Sequence, residues 1–208
     1  MNKDLSEVLG SLNGKILDVG CGRQPYRSFL PATATYVGMD IQSVEGVDHV
    51  YPVGGNFPFQ NGVFDAVLCT QVLEHAEDGQ LILDEIRRVL KPGGVLVVSV
   101  PFIYQLHGAP HDYFRFSEYG AVSLLENFSV KEVRKQGGVG STLAVILLCW
   151  LYTQLDRNMA TWAMKVLLLP FLIALSFFIN MTGLLLDKID TTEALYGNVL
   201  IIALNNAE

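Results

Sequence analysis

The stretch Ile16-Leu17-Asp18-Val19-Gly20-Cys21-Gly22 decides how this chain is read. Four residues that read as a β-strand run straight into a Gly-Cys-Gly turn. With no Cβ at either glycine, backbone N–H groups there can approach a ligand closely. Asp18 stands inside the apolar run, where a carboxylate is costly unless it is partnered. A cationic group on a ligand is one natural partner. The pattern therefore suggests a site for a nucleotide-like ligand that also carries positive charge; a plain tight turn is the competing reading of the glycines alone. A dinucleotide site asks for GxGxxG. Pro25 occupies the third glycine position, which disfavours a nicotinamide-dependent oxidoreductase.

Outward from this stretch, residues 1–137 alternate between strand-like and helix-like runs. Strands are expected at Lys15–Val19, Thr35–Met39, Asp48–Tyr51, Val63–Cys69, Gly94–Val100 and Ser129–Lys135. Helices are expected at the polar N-terminus, near Tyr26–Leu30, over Asp78–Leu90 and over Ser117–Asn127. The strongest helix is Gln80–Leu90, where Leu81, Ile82, Ile86 and Val89 form an apolar stripe beside charged residues. Lys91-Pro92-Gly93-Gly94 is expected to end it and turn the chain. Such alternation predicts an α/β fold, a Rossmann-like, doubly wound sheet with helices on both faces.

The composition excludes some functions and raises another. A formal net charge of −7 argues against a nucleic-acid surface, which needs a basic stripe. Cys21, Cys69 and Cys149 are odd in number and show no CxxC spacing, so a reducing, cytoplasmic setting is expected. No signal peptide is read at the N-terminus. Half of the residues are hydrophobic and only 17% are charged, against about 25% in a typical domain. The excess lies in residues 138–188, expected as a hydrophobic helical insertion within a single domain spanning 1–208. Ser141–Leu155 carries no charge, and after Asp156-Arg157-Asn158 neither does Val166–Leu186. The second run would measure roughly 31 Å as a helix, about the thickness of a bilayer core, with Pro170 and Asn180 as interruptions. The apolar centre of the first, Leu143–Tyr152, is shorter and suits a re-entrant, interfacial or buried helix. Trp150, Tyr152 and Trp162 gather near the polar tip, as aromatic anchors do. Membrane contact through 139–187 is the expectation; a buried cap or a homodimer interface is the alternative. The tail Ala194–Asn205 returns to a strand pattern.

Over residues 13–137 and the final strand the chain resembles class I S-adenosylmethionine-dependent methyltransferases, in particular the methyltransferase type 11 group. The resemblance rests on five motifs in order: Ile16 to Gly22; Tyr36-Val37-Gly38-Met39-Asp40; Phe57-Pro58-Phe59 with Phe64-Asp65-Ala66-Val67-Leu68; Gln71-Val72-Leu73-Glu74-His75; and Leu90-Lys91-Pro92-Gly93-Gly94. It implies seven strands, mostly parallel with an antiparallel last strand, and S-adenosylmethionine as cofactor. By that resemblance Asp18 takes the methionine amino group, and Gly20, Cys21 and Gly22 bring the backbone to the cofactor. Asp40 receives the ribose hydroxyls with Ile41 beside it, and Gln71 and Val72 line the methionine arm. Glu74 and His75 read as structural. Relatives often carry an acid shortly before the Phe-Pro-Phe segment; Val53-Gly54-Gly55-Asn56 stands there instead, so Asn56 or a backbone group is expected at the adenine.

Methyl transfer from a sulfonium is an in-line displacement whose leaving group needs no acid, so alignment carries most of it. A base helps where the acceptor must lose a proton. Its candidates follow the fifth strand: His111 with Asp112 as base and neighbour, and Tyr104 or Tyr113 shaping the acceptor site. No metal is expected, since no ligand cluster accompanies His107, His111 and Asp112. The insertion would leave the sheet at the carboxyl end of strand six, the cofactor edge. The expected acceptor is therefore an unidentified small molecule, apolar or lipid-linked, met at a membrane by an enzyme of the cytoplasmic side. A non-catalytic cofactor- or partner-binding protein assembled through the apolar helices is the alternative.

Overall fold

The computed structural model describes residues 2–206. Contacts divide them into two compact units. The first comprises residues up to Pro101, Gly108–Arg134 and Val199 onward; the second comprises Phe102–His107 and Lys135–Asn198.

The first unit is built on a seven-stranded sheet. Its strands are β1 (Lys15–Val19), β2 (Thr35–Asp40), β3 (His49–Val50), β4 (Phe64–Thr70), β5 (Leu90–Pro101), β6 (Phe128–Gln136) and β7 (Asn198–Asn205). Their order is β3-β2-β1-β4-β5-β7-β6, mostly parallel and antiparallel at the end of the chain. β1 lies parallel between β2 and β4, with Asp18 opposite Gly38 on one side and Leu68 on the other. Strand order reverses between β1 and β4, and the crevice at the carboxyl ends of the strands at such a switch is where open α/β sheets bind ligands. The first glycine turn therefore emerges at the switch point.

Helix α1 (Asn2–Gly10) lays Leu5, Val8 and Leu9 on a core of Ile16, Ala66, Leu68, Val97 and Leu200. Helix α2 (Gly79–Val89) starts where Asp78 caps the Gln80 N–H at 3.0 Å. It buries Leu83, Ile86 and Val89. Leu81, expected inside, is half exposed, because the inward arc is set by the later residues. Glu85 and Arg88 on α2 hold the Phe57-Pro58-Phe59 segment. Glu85 accepts from the Phe57 N–H, and Arg88 donates to the carbonyls of Phe57 and Phe59. The 3-10 turn Arg27–Phe29 and the short helix α3 (Glu118–Ser123, capped by Ser117) replace the longer helices expected there.

Two boundaries differ from expectation for identifiable reasons. Lys91-Pro92-Gly93-Gly94 does not precede β5. Leu90 already pairs with Phe64, and the register then jumps to Ala66 with Val95, so these four residues form a bulge inside the strand. Gly93, at φ +72°, supplies the left-handed residue the bulge needs. The last strand begins at Asn198 rather than Ala194. Upstream, in the second unit, Tyr196 is buried with its ring 4.6 Å from that of Phe102.

The second unit holds α4 (Val139–Leu155), α5 (Met159–Leu167) and α6 (Leu169–Ile189). Asp187 near the end of α6 accepts from the N–H groups of Gly140 and Ser141, at 2.7 and 3.1 Å, capping the start of α4. The helices touch at Gly140 and Gly183, where a Cβ on Gly140 would fall 2.1 Å from the Gly183 carbonyl oxygen. Tyr152 and Ser176 share a hydroxyl hydrogen bond at 3.0 Å. Pro170 does not interrupt α6 but stands in its first turn, where its missing N–H has no intrahelical partner to lose. The charged break is a 120° bend between α4 and α5, with an Asn158 capping box starting α5.

Asn205 locks the end of β7: its Nδ2 lies within 3.2 Å of the carbonyls of Arg87, Leu90 and Lys91. Asn205→Leu leaves those carbonyls without their donor. It should cost about 1–3 kcal/mol in chemical denaturation, against under 1 kcal/mol for replacement of the exposed Asn13.

Candidate cofactor site

The residues of the first glycine turn and their neighbours enclose a cavity of about 310 Å³, lined by Asp18, Gly20, Cys21, Gly22, Tyr26 and Gln71 among others. The turn is tied to the end of β2, because Gly20 and Cys21 both donate to the Met39 carbonyl, at 2.8 and 3.1 Å. Gly20 has φ +69°, and a Cβ there would meet Val72 Cγ2 at 2.4 Å. Only glycine meets both the conformation and the contact. Gly22 donates to Asp40 Oδ2 at 2.9 Å, and Gln42 donates to Oδ1 at 3.0 Å. Two backbone N–H groups thus orient the Asp40 carboxylate beside the turn.

Asp18 is 1% exposed. Its Oδ2 accepts from the Tyr36 hydroxyl at 2.7 Å, and its Oδ1 has no partner among the described residues. Burial pushes the carboxyl up to about 7; the Tyr36 hydrogen bond opposes this and the nearby Asp40 charge adds to it. A buried acid with one unpartnered oxygen is destabilising, and a cation entering the cavity would relieve that cost. Burial and the neighbouring carboxylates push the Cys21 thiol up to about 12, so it lines the cavity as a neutral group.

The sequence-derived residues therefore divide. Asp18, Gly20, Cys21, Gly22 and Gln71 line the cavity. Asp40 and Val72 contact the turn. Ile41 is about half exposed beyond Asp40, and Asn56 is exposed in the loop between β3 and β4, outside the lining. Gln71 sits at φ +57° and donates to Ser99 Oγ at 3.1 Å, which aims the loop after β4. The sequence reading missed Tyr36, Tyr26 and Thr70. Tyr36 was legible in principle: it lies two residues before Gly38, the partner of Asp18, on the same face of the sheet.

After β5 the expected acceptor residues fall in different units. Tyr104 belongs to the second, 41% exposed and edge-on to His107. His111 belongs to the first, exposed, with Nδ1 2.8 Å from the Tyr113 hydroxyl, which donates to Glu77. Asp112, read as the neighbour of His111, sends both carboxylate oxygens to Arg115 at 2.6 and 2.7 Å. Glu74 is fully buried, and burial pushes its carboxyl up to about 7. Neither of its carboxylate oxygens has a hydrogen-bond partner among the described residues.

The family described as "Methyltransferase domain" matches residues 17–98. The chain is 38% identical over 101 residues to a sterol 24-C-methyltransferase of Gibberella zeae, covering 40% of this chain and 27% of that protein. It is 33% identical over 99 residues to a fatty-acid O-methyltransferase of Mycolicibacterium smegmatis, covering 41% and 36%. The chain thus spans about a third of the length of these relatives. A solved structure of a Burkholderia thailandensis 1,6-didemethyltoxoflavin-N1-methyltransferase with bound S-adenosylhomocysteine shares the fold. Its TM-score is 0.59 at 14% identity, over 99% of this chain and 78% of that one. The match over residues 17–98, the fold and the glycine turn are those of class I S-adenosylmethionine-dependent methyltransferases, to which the chain is similar. The family match supports S-adenosylmethionine as the cofactor, and the cavity fits it. The vacant Asp18 oxygen suits an ammonium, Asp40 suits vicinal hydroxyls, and the glycine turn admits close backbone contact.

Asp18 yields a two-sided prediction. The folded chain holds the Asp18 proton more tightly than the unfolded chain. The resulting penalty is absent near pH 4, grows as pH rises, and is complete above about 7. A rise from 3.8 to about 7 corresponds to a penalty on the order of 4 kcal/mol. Asp18→Asn should therefore raise the melting temperature of the ligand-free protein at pH 8, with a smaller gain at pH 5. The same variant should lose at least tenfold in donor affinity.

Proposed function

We propose that the protein transfers the methyl group of S-adenosylmethionine to an apolar or lipid-linked acceptor at the cytoplasmic face of a membrane. The observation that carries the acceptor class is the apolar surface of α4–α6, which the chain inserts between β6 and β7. α6 is long and apolar enough to cross a bilayer, with mean hydropathy 2.0 and 11% of that window buried. Phe171, Ile173, Phe177, Phe178 and Leu184 are each more than half exposed along it. Monomeric soluble domains rarely expose an apolar face of this extent. The names of the sterol and fatty-acid relatives support the same class of acceptor.

S-adenosylmethionine, when bound, supplies an electrophilic methyl on a positively charged sulfur. The chain's own part is positioning. Asp18 accepts the amino group, Asp40 the ribose hydroxyls, and Gln71 and Val72 border the methionine arm. For an acceptor hydroxyl or amine, His111 takes the proton, its ring oriented by Tyr113, whose hydroxyl is anchored on Glu77.

The direct test is mass spectrometry of a membrane lipid extract incubated with the full chain and isotope-labelled donor. A labelled lipid product is expected; label found only in water-soluble products would overturn the acceptor class. In the same assay His111→Ala should lower kcat by about 10²-fold or more, with donor affinity unchanged. Phe177→Asp combined with Phe178→Asp should abolish flotation with phosphatidylcholine vesicles, again at unchanged donor affinity. If the wild-type chain instead sediments as a dimer and ignores vesicles, a second copy covers this face.

A further inference from the structure

The second unit contains an open cleft of about 770 Å³, remote in sequence from the cofactor turn. One wall is apolar, from Leu148, Cys149 and Tyr152 on α4. Its rim is polar, with Gln105, Thr153 and Arg157. The charges at its mouth are not equivalent. Asp156 is neutralised by Lys165, whose Nζ lies 2.9 and 2.7 Å from its two carboxylate oxygens. The same ammonium sits over the Tyr152 ring at 5.1 Å. Arg157 has no hydrogen bond or ion pair among the described residues. A guanidinium left over beside a neutralised pair makes the mouth locally cationic, on a chain whose net charge is −7. Arginine matches phosphate and carboxylate oxygens by paired N–H donors.

Size and lining restrict the occupant further. The volume falls in the range of sites that enclose drug-sized molecules, far more than an inorganic anion needs. An apolar wall ending at one unpaired cation suits a molecule with an anionic head and a hydrocarbon tail. Gln105 lies four residues beyond the end of β5, next to Tyr104, in the segment that leaves the carboxyl edge of the sheet.

We propose that this cleft binds an amphiphile bearing phosphate or carboxylate, of the lipid class read above for the acceptor, with Arg157 reading the charge and Leu148, Cys149 and Tyr152 receiving the adjoining chain. This rests on the lipid-acceptor reading above. Arg157 belongs to none of the cofactor contacts, so its replacement leaves that site intact.

The experiment is calorimetric titration of the full chain with n-decyl phosphate below its micelle concentration. n-Decyl phosphocholine and inorganic phosphate serve as controls. The wild-type chain should bind decyl phosphate at least tenfold more tightly than decyl phosphocholine, and inorganic phosphate at millimolar concentration should not displace it. Arg157→Gln should bring the two amphiphiles within about twofold of each other, and Arg157→Lys should recover part of the preference. Donor affinity and vesicle flotation should not change in either variant. Equal preference in wild type and Arg157→Gln would overturn the proposal, and so would displacement by inorganic phosphate, which marks a simple anion site. Failure of the wild-type chain to float with vesicles tells against the membrane reading and leaves the cleft result standing.

Discussion

The burial of one carboxylate organises the cofactor site. Asp18 lies on β1, paired on both sides, essentially without solvent, and among the described residues only the Tyr36 hydroxyl bonds one of its oxygens. An isolated buried carboxyl is destabilising and protonates unless a cation arrives. On the proposed reading, the site accepts a loss of stability in the ligand-free state in exchange for recognition of a positively charged ligand. Strained or underpaired groups of this kind are expected at functional sites and disfavoured elsewhere.

The fold turns that carboxylate into a specific site. Because β1 pairs with both β2 and β4, the glycine turn, Asp40 and Gln71 all emerge at one edge, where strand order reverses. The backbone supplies the fine alignment. Met39 fixes the turn, the N–H groups of Gly22 and Gln42 fix Asp40, and Ser99 fixes Gln71. Substitution at such supports would act through geometry rather than through lost contact with ligand.

The sequence carried β1, the glycine turn, Asp40 and the seven-strand alternation, because each is a local pattern of apolar run, turn and spacing. It carried the apolar insertion as well, since that is a matter of composition. Contacts made by register were harder to read. Tyr36 meets Asp18 only once β1 and β2 are aligned, and Asp112 turns to Arg115 rather than to its neighbour His111. The Lys91-Pro92-Gly93-Gly94 signal was read as a helix stop followed by a turn, yet pairing on either side carries the strand through it as a bulge. α5 was not separated from α6, because Leu168 alone parts two apolar runs. Pro170 looks like an interruption within an apolar run, but stands in the first turn of α6. Glu74, structural by its motif, is a fully buried acid whose oxygens make no hydrogen bond among the described residues, a property set by packing rather than by spacing.

The most direct test of the central claim is proton release when S-adenosylmethionine binds, measured by calorimetry at pH 6.5 in buffers of different ionisation enthalpy. With its carboxyl at about 7, Asp18 is mostly protonated in the ligand-free protein and must ionise to meet the ammonium. The expected result is release of roughly three quarters of a proton at pH 6.5, falling toward zero at pH 8.5 and absent in Asp18→Asn. Heats at pH 6.5 that do not depend on the buffer would contradict the account, because Asp18 would then not be the group that receives the cation.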